Sequence, residues 1–514
     1  MTTADPPRRP GTALVGRAGF PQLLRAEWTK LRTVRRWGLT LLAAVVVTVL
    51  ISLFSATSSG IETTGGGGGG GSPAPTGPGG VSIRDDFTFV HRTLTGNGSI
   101  TARVTGPTGE QPRRAPEWAK AGVLIKESTD PGSEYAALMI TAGHGVRLQS
   151  EFIRDVAGSA ASATTPHWLR LVRSGATVTA YESADGRTWH EVGTVRLATS
   201  AEAVQFGLFV ASPNAQSMQR KFGNVSVSDQ PSRSSARFDE VTVKGATGGD
   251  WRLTDVGRPS GGGQPTGDGQ GELRRAGGEF TLSGSGDIAP GTPMQPDLVA
   301  ASLNGSQLSL VLVAALGVLF ITAEYRRGMI RTTFAVTPRR GRVLLAKAVV
   351  IGAVTFVTGL VASLLSYLLS MPALRAGGHE PPLFPEFSLT DGPVLRAVIG
   401  TAALLALIAV LALGLGALLR NTAAAITTVV VVIVLPLILV SMVPLGLSQW
   451  LQRLTPVAGF AVQQTTPRYD QVAGLCLPED GCYPQGAWTG FGTLAAYAVV
   501  VLGLAVWRVR KRDA

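Results

Sequence analysis

The sequence predicts an α-helical polytopic membrane protein with six transmembrane helices and an inserted all-β jelly-roll or sandwich ectodomain. Three observations lead to this fold class. Six stretches of the 514 residues are nearly free of charge over about the length that a helix needs to cross a bilayer. Short alternating runs between the first two stretches are typical of strands. The basic residues are concentrated beside the apolar stretches, which is typical of the cytoplasmic edge of membrane proteins.

The apolar stretches are longer than most helices of soluble cores and lack their amphipathic pattern. The first one begins late in the chain and has no convincing cleavage site, so we expect an uncleaved signal anchor. Six crossings place both termini on one side of the membrane. The stretches are residues 38–54, 307–323, 348–369, 397–419, 422–445 and 487–507.

Charge assigns the two sides. Residues 1–37 contain eight Lys or Arg, residues 321–347 contain seven, and the C-terminal tail contains four. The loops 370–396 and 446–486 contain only two each. Positive residues near spans stay in the cytoplasm, so we expect cytoplasmic termini and a plasma (inner) membrane location. Residues 56–306 are then extracellular.

The net charge of +12 does not indicate nucleic acid binding. The long outer segment holds 22 Lys or Arg against 24 Asp or Glu, so the positive excess belongs to the cytoplasmic edge. Topology and attraction to anionic membrane lipid account for that excess. We therefore expect membrane lipid, and no nucleic acid, among the partners.

The predicted domains follow in chain order. The N-terminus places Leu24, Trp28 and Leu31 at helical spacing, which favours an interfacial elbow helix over the alternative of a plain charge cluster. A Gly-rich tether precedes the β-sandwich and an extracellular stalk follows it, in which the run GGEFTLSGSGDIAPGTP is expected to form a last strand or an ordered stalk. The boundaries are 1–37 cytoplasmic N-terminus, 38–55 first transmembrane helix, 56–80 tether, 81–243 sandwich, 244–306 stalk, and 307–514 the remaining five helices with a cytoplasmic loop at 324–347.

The β region resembles concanavalin-like lectin and glucanase jelly rolls through Trp118, Lys120, Ala121, Gly122 and the run IKESTD. That resemblance implies two antiparallel sheets with a concave face that often binds glycans. Trp118, Lys120 and His144 are the candidate glycan contacts. Core packing is the stronger interpretation of the tryptophans, since alternating strands need large inward side chains. No paired acidic signature indicates a hydrolase.

Several kinds of chemistry are missing from the sequence. No Lys follows a Gly, so the chain has no phosphate-binding loop of its own, and no cofactor is expected on it. The five His residues show no metal-ligand spacing, so no metal site is expected. Cys476 and Cys482, the only two cysteines, fall in one predicted outer loop, where a disulfide is favoured. The apolar stretches contain almost no ionisable residue, which disfavours ion-coupled transport.

The segment AEYRRGMIRTTFAVTPRRGRVLLAK closely resembles the first cytoplasmic loop of type-2 ABC exporter permeases, and AEWTKLRTVR resembles their elbow helix. The resemblance implies a homodimeric permease without catalytic residues, whose loop docks on a separate ATP-binding cassette subunit that binds and hydrolyses ATP. The coupling residues that it implies are Glu324, Arg326, Arg327, Gly328, Arg331, Thr332, Pro338, Arg339 and Arg340.

These patterns predict the permease subunit of an ATP-driven exporter, with a hydrophobic substrate favoured by spans that carry no charged site. Pro436, within the fifth stretch, is a candidate flexible point. The alternative is a membrane-anchored glycan-binding sensor or adhesion protein, for which one span would suffice. A membrane-embedded enzyme is a third possibility, which the sequence disfavours because its apolar stretches contain no clustered polar residues.

Overall fold

The structure is a computed structural model with two parts, an antiparallel β-sheet domain and a bundle of long apolar helices. The residues that it describes are 19–59, 75–77, 82–110, 114–198, 201–221, 224–257, 270–291, 297–326, 328–329, 340–380, 384, 386–466, 469–472 and 482–511, without side chains at 219–227.

Ten α-helices lie in these described ranges. A π-helical turn, Val430–Val434, joins α7 to α8, and a 3-10 helix, Pro456–Gln463, follows α9. The helices are α1 Phe20–Thr33, α2 Arg35–Ser58, α3 Leu298–Ser302, α4 Gly305–Arg326, α5 Arg340–Ala376, α6 Gly392–Leu419, α7 Thr422–Val429, α8 Leu435–Val440, α9 Leu445–Leu454 and α10 Ala487–Lys511.

Six helical stretches in the described part of the chain are long and apolar enough to cross a membrane, and we call them candidate spans. They are α2, α4, α5, α6, the run from α7 through α8, and α10. Each overlaps one apolar stretch predicted from sequence, although α5 is much longer than predicted and contains Pro372. The fifth candidate span ends at Val440 rather than at residue 445, because the chain turns there before α9 begins.

The bundle is built around α4 and α6. In each of these two helices, 61% of the most apolar window is buried within the chain, against 22% for α2 and α10. A single large apolar cluster includes Leu310, Leu344, Leu404 and Leu494 from four different helices. The outer helices therefore present apolar surface that nothing in the described chain covers.

The sheet domain contains fifteen described strands. The main path runs β13-β14-β12-β1-β9-β2-β3-β4-β5, β6 to β8 branch from β1, β15 pairs with β1, and β10 with β11 forms a separate hairpin. The strands are β1 Ile83–Gly109, β2 Lys120–Lys126, β3 Tyr135–Thr141, β4 Gly145–Ser150, β5 Arg154–Ala157, β6 His167–Ser174, β7 Thr177–Ser183, β8 His190–Arg196, β9 Ala203–Ala211, β10 Ala215–Lys221, β11 Asn224–Gln230, β12 Ser234–Val256, β13 Glu272–Ala276, β14 Glu279–Gly284 and β15 Asp287–Pro290.

Strand alternation gives the main sheet two apolar faces. Val123 and Leu138 join Leu169 of the β6–β8 branch in one core cluster, whereas Leu124 and Met139 join a second cluster on the opposite face. Successive strand residues point to opposite faces, so strands buried on both faces read as continuous apolar runs. The sequence VLI at Val123–Ile125 is such a run.

The stalk predicted over 244–306 is corrected by the structure. Strand β12 extends to Val256, and β13, β14 and β15 continue the sheet domain to Pro290. The last of them pairs with the first strand, in the register Ile83↔Pro290 to Asp86↔Asp287. The described Gly277, Gly278 and Gly286 lie in turns between these strands rather than in a separate stalk.

Candidate functional site

The amphipathic helix α1 buries an acidic residue. Leu23, Glu27 and Leu31 are its buried residues, spaced one helical turn apart on the face that packs against the bundle. A carboxylate between two leucines is costly to bury unless a cation and hydrogen bonds compensate for the lost water. Its partners therefore indicate what holds α1 in place.

Four charged side chains supply that compensation, and we call them the charge cluster: Glu27, Lys30, Glu324 and Lys347. The Lys347 Nζ atom lies 2.6 Å from Glu27 Oε2 and 2.7 Å from Glu324 Oε1. The Lys30 Nζ atom lies 2.8 Å from Glu27 Oε1 and 3.0 Å from Glu324 Oε1. Two cations and two anions alternate, so the cluster is neutral and joins α1, the end of α4 and the start of α5.

The two lysines differ in exposure. The side chain of Lys347 is 1% exposed and also lies 4.8 Å from the centre of the Phe320 ring, whereas that of Lys30 is 43% exposed. Removing one partner of a buried pair leaves an uncompensated charge, which costs about 3–5 kcal/mol. Lys347 is therefore the member on which the cluster most depends.

The pKa of Lys30 is raised above its ordinary value. Partial burial disfavours the ammonium, but the carboxylates of Glu27 and Glu324 outweigh this effect through charge attraction and hydrogen bonds. The charged form of Lys30 therefore persists at physiological pH. One acceptor in the cluster, Oε2 of Glu324, is buried and has no hydrogen-bond partner among the described residues.

The same end of the bundle gathers further basic residues. The guanidinium of Arg420, directly after α6, lies 5.4 Å from the centre of the Tyr325 ring in α4. Gly341 at the start of α5 lies against Arg510 at the end of α10. The basic residues at the ends of α4, α6 and α10 and at the start of α5 thus lie at one pole of the bundle, and its cytoplasmic location stays a prediction.

The structure describes four of the nine predicted coupling residues. Glu324 is buried in the charge cluster, Arg326 and Gly328 are exposed, and Arg340 begins α5. Arg327, Arg331, Thr332, Pro338 and Arg339 lie outside the described residues. Glu27, Lys30 and Lys347 are not among the predicted coupling residues. The burial of Glu27 could have been predicted from the sequence. It is the only acidic residue of α1, and it lies four residues from Leu23 and from Leu31, on the same helix face.

At the opposite pole, the helices are held together by Asp297 and by hydrogen bonds between uncharged side chains. Asp297 caps α3 and also accepts hydrogen bonds from the backbone N–H and the hydroxyl of Thr465, at 2.6 and 2.8 Å. Gln463, the last residue of the buried 3-10 helix, donates to Ser306 and Thr401, both at 3.0 Å. Burial raises the pKa of the nearby Tyr483, and the charge of Asp297 adds to the shift.

Cys482 lies near this pole and is disulfide-bonded. Cys476, the other cysteine of the chain, lies outside the described residues. Their pairing therefore stays a prediction.

The three candidate glycan contacts offer little free surface. Trp118 is buried, its ring stacks on that of His144 at 4.0 Å between centroids, and Arg147 lies 5.4 Å from the ring centre. Lys120 is fully buried, where its Nζ pairs with Asp287 at 2.7 Å. These contacts fit the core interpretation of Trp118, and glycan binding stays a prediction.

No group of three or more His, Cys, Asp or Glu side chains in the described residues is arranged to hold a metal ion. Among the acidic side chains at the two poles, Glu27 pairs with lysines, and Asp297 accepts hydrogen bonds from hydroxyl and backbone N–H groups.

Comparisons with known proteins concern only part of the chain. A family described as a protein of unknown function (DUF1349) matches residues 150–230, which run from the end of β4 to the end of β11. No curated protein matches this chain.

Three solved structures are similar to it at low scores. Scytalido-glutamic peptidase with a transition-state analogue inhibitor shares 8% identity at a TM-score of 0.26, over 39% of this chain and 98% of that one. SCP-B, of the Eqolisin family of peptidases, in complex with the tripeptide Ala-Ile-His, shares 9% at 0.25 over the same fractions. A functionally unknown protein from Saccharomyces cerevisiae shares 14% at 0.17, over 33% and 74%. TM-scores this low carry no inference about activity.

Proposed function

We propose that this chain is the permease subunit of an ATP-driven ABC exporter. In this proposal the six candidate spans cross the plasma membrane, both termini are cytoplasmic, and the sheet domain is extracellular. ATP is bound and hydrolysed by a separate ATP-binding cassette subunit, and the exported substrate is hydrophobic. The chain has no catalytic residues of its own.

The charge cluster is the observation that carries the proposal. Helix α4 ends at Arg326 and α5 begins at Arg340, and the basic segment connects these two helix ends. Glu324 near the first end and Lys347 near the second lie 2.7 Å apart. Glu27 and Lys30 tie the same point to α1. A push on such a segment moves three helices together, which a loop needs in order to transmit ATP-driven closure.

The exposed faces of the bundle support membrane insertion and association. Large apolar side chains such as Leu42, Phe54 and Val499 are 60%, 73% and 70% exposed within the described chain. Apolar surface of this extent requires lipid or a protein partner to cover it. Helices α2 and α10 are the least buried candidate spans, so we propose that one of them meets a second copy in a homodimer.

The alternative of a glycan-binding sensor receives less support from the geometry. The side chain of Lys120 has no exposed surface, and the Trp118 ring already contacts His144 and Arg147. A receptor would also leave the charge cluster, at the far pole from the sheet domain, without a role.

The proposal predicts that an ATP-binding cassette ATPase is encoded next to the gene of this chain, and the test is reconstitution of the two proteins. The two proteins are co-expressed, purified together and placed in lipid nanodiscs, and ATP hydrolysis is compared with that of the ATPase alone. We expect a stable complex and stimulated hydrolysis. The matched control replaces residues 327–339 by a Gly-Ser segment of equal length, and it should keep the fold and lose both. Absence of a complex with the unmodified chain would contradict the proposal.

A further inference from the structure

A groove lies between α1 and α5, next to the charge cluster. Its volume is about 470 Å³, and its walls are Leu24 and Trp28 of α1 and Val350, Val354 and Val357 of α5. The α5 residues lie one or two turns apart, so the groove follows that helix for about 14 Å from residue 349 to 358. This is the size of a ligand site, with a shape suited to an extended apolar chain.

The walls of the groove are exposed apolar surface. Trp28 is 48% exposed, Val349 50% and Val357 59%. The two polar residues that line it are Arg25 and Thr358. The groove thus has an apolar body, with a cation on the α1 side.

The cation is free to bind an anion. Arg25 is exposed, and no acidic side chain of the described residues lies within ion-pair distance of it. The one acidic residue of α1, Glu27, faces the opposite way into the charge cluster. Arg32, Arg35 and Arg36 are also exposed, but none of them lines the groove. The complement of this arrangement is a molecule with an apolar chain and an anionic head.

We propose that the groove binds one anionic phospholipid of the cytoplasmic leaflet. One acyl chain lies along α5 between Leu24 and Val357, and the phosphate accepts hydrogen bonds from the Arg25 guanidinium, with the Trp28 ring at headgroup level. The inference rests on the part of the proposed function that places these helices in a membrane with α1 at its inner face. It does not depend on coupling to an ATPase.

Bound lipid would fill the space between α1 and α5 beside the charge cluster. Both helices contribute to the charge cluster, so the lipid would brace the joint that holds the basic segment. Depletion of anionic lipid should loosen α1 before it affects the rest of the bundle.

The test uses the full chain, delipidated in detergent and then supplied with phosphatidylglycerol or phosphatidylcholine with the same acyl chains. Native mass spectrometry counts the retained lipids, and tryptophan fluorescence reports thermal unfolding. We expect one phosphatidylglycerol to be retained in preference to phosphatidylcholine, with a rise in Tm. The loss of a charge-assisted contact in Arg25→Gln should weaken retention about tenfold or more.

Two further variants separate the parts of the inference. Ala353→Phe places a ring in the groove and should abolish retention of the lipid while leaving Arg25 intact. Arg32→Gln removes an exposed arginine of the same helix that does not line the groove, and should retain the lipid like the unmodified chain. Equal retention of the two lipids, equal loss in Arg25→Gln and Arg32→Gln, or loss of a dimer instead of a lipid in Ala353→Phe would overturn the proposal.

The outcome also separates this inference from the proposed function. A chain that stimulates its ATPase but retains no phosphatidylglycerol overturns the lipid site alone. A chain that retains the lipid but forms no complex with the ATPase overturns only the exporter.

Discussion

The two helix ends that flank the basic segment between α4 and α5 are joined by Glu324 and Lys347. The resemblance to permease coupling loops implies that Glu324 serves contact with a partner subunit. In the structure its side chain turns inward to Lys347, a residue only 23 positions away, and to Lys30, which is 294 positions away. The nearer pair could be guessed from a motif, but the distant one depends on how α1 folds back along the bundle.

Lys347→Met should destabilise the bundle strongly. The substitution leaves Glu27 and Glu324 buried without their most buried cation, at a cost of about 3–5 kcal/mol. Thermal unfolding in nanodiscs, followed by tryptophan fluorescence, measures this loss.

Lys30→Met is the matched control for that experiment. Lys30 contacts the same two carboxylates, but its side chain is 43% exposed, so its loss should cost no more than about 1 kcal/mol. Equal losses from the two variants would mean that the cluster is solvated and does not anchor α1.

Glu182 should make the stability of the sheet domain depend on pH. Burial pushes the pKa of Glu182 up, but hydrogen bonds from His167 and from the Ser159 hydroxyl and N–H outweigh this and hold it below its usual value. A carboxyl with a depressed folded-state pKa adds stability above its unfolded pKa, and that stability is lost as the pH falls through the folded value. The domain should therefore weaken below about pH 4.5.

Glu182→Gln should remove this loss of stability at low pH. Hydrogen exchange of the β6 and β7 amides, measured from about pH 7 down to about pH 3, checks the prediction. Glu191→Gln on neighbouring β8, where the residue is exposed, should leave the pH dependence unchanged. If both variants lose stability equally as the pH falls, the pH dependence comes from other carboxyl groups.

At the scale of elements, the long helices could be predicted and the short buried one could not. Apolar stretches of about 20 residues identify candidate spans without any knowledge of their neighbours. The 3-10 helix Pro456–Gln463 is completely buried, yet eight residues are too few to signal a span and they show no periodicity. Its burial depends on helix α10, which comes later in the chain.

Gly490→Ala should disturb the packing of that 3-10 helix. A Cβ atom at position 490 would overlap the carbonyl oxygen of Ala458, so the two backbones can approach only because residue 490 is glycine. We expect a loss of about 1–3 kcal/mol, read as a lower Tm and faster exchange of the 456–463 amides.

Gly492→Ala is the control within the same helix. A Cβ at 492 meets no atom within 4 Å, so alanine should be neutral or should stabilise α10 by up to about 1 kcal/mol. A Gly492→Ala defect as large as that of Gly490→Ala would show that helix α10 itself, rather than the contact with Ala458, is at fault.

At the scale of the whole molecule, the sequence could predict two parts of different physical character, and it misplaced the boundary between them. Gly, Ser and Pro after residue 243 look like a linker by composition. Residues 244–256 nevertheless belong to strand β12, because β12 is paired along its length with β1, more than a hundred residues earlier in the chain. Composition reports local preference, whereas this pairing is a property of the completed sheet.

Cysteine labelling tests the proposed arrangement of the two parts across the membrane. A membrane-impermeant maleimide should label Ala184→Cys, at an exposed position between β7 and β8 of the sheet domain, in intact cells. Arg326→Cys, at the exposed end of α4, should react only after permeabilisation. Reversed labelling would place the basic pole outside and remove the basis for coupling to a cytoplasmic ATPase.

The pairing of β15 with β1 determines how the sheet domain is inserted into the chain. Cα atoms of paired antiparallel residues lie only about 5 Å apart, so the segment enters at Ile83 and leaves at Pro290 through neighbouring points. The helices beyond also touch, since the Gly305 N–H donates to the Ser52 hydroxyl at 3.0 Å. The sheet domain is therefore connected to the helices through two neighbouring chain segments. A permease could gain or lose such an inserted domain without a change in its membrane helices.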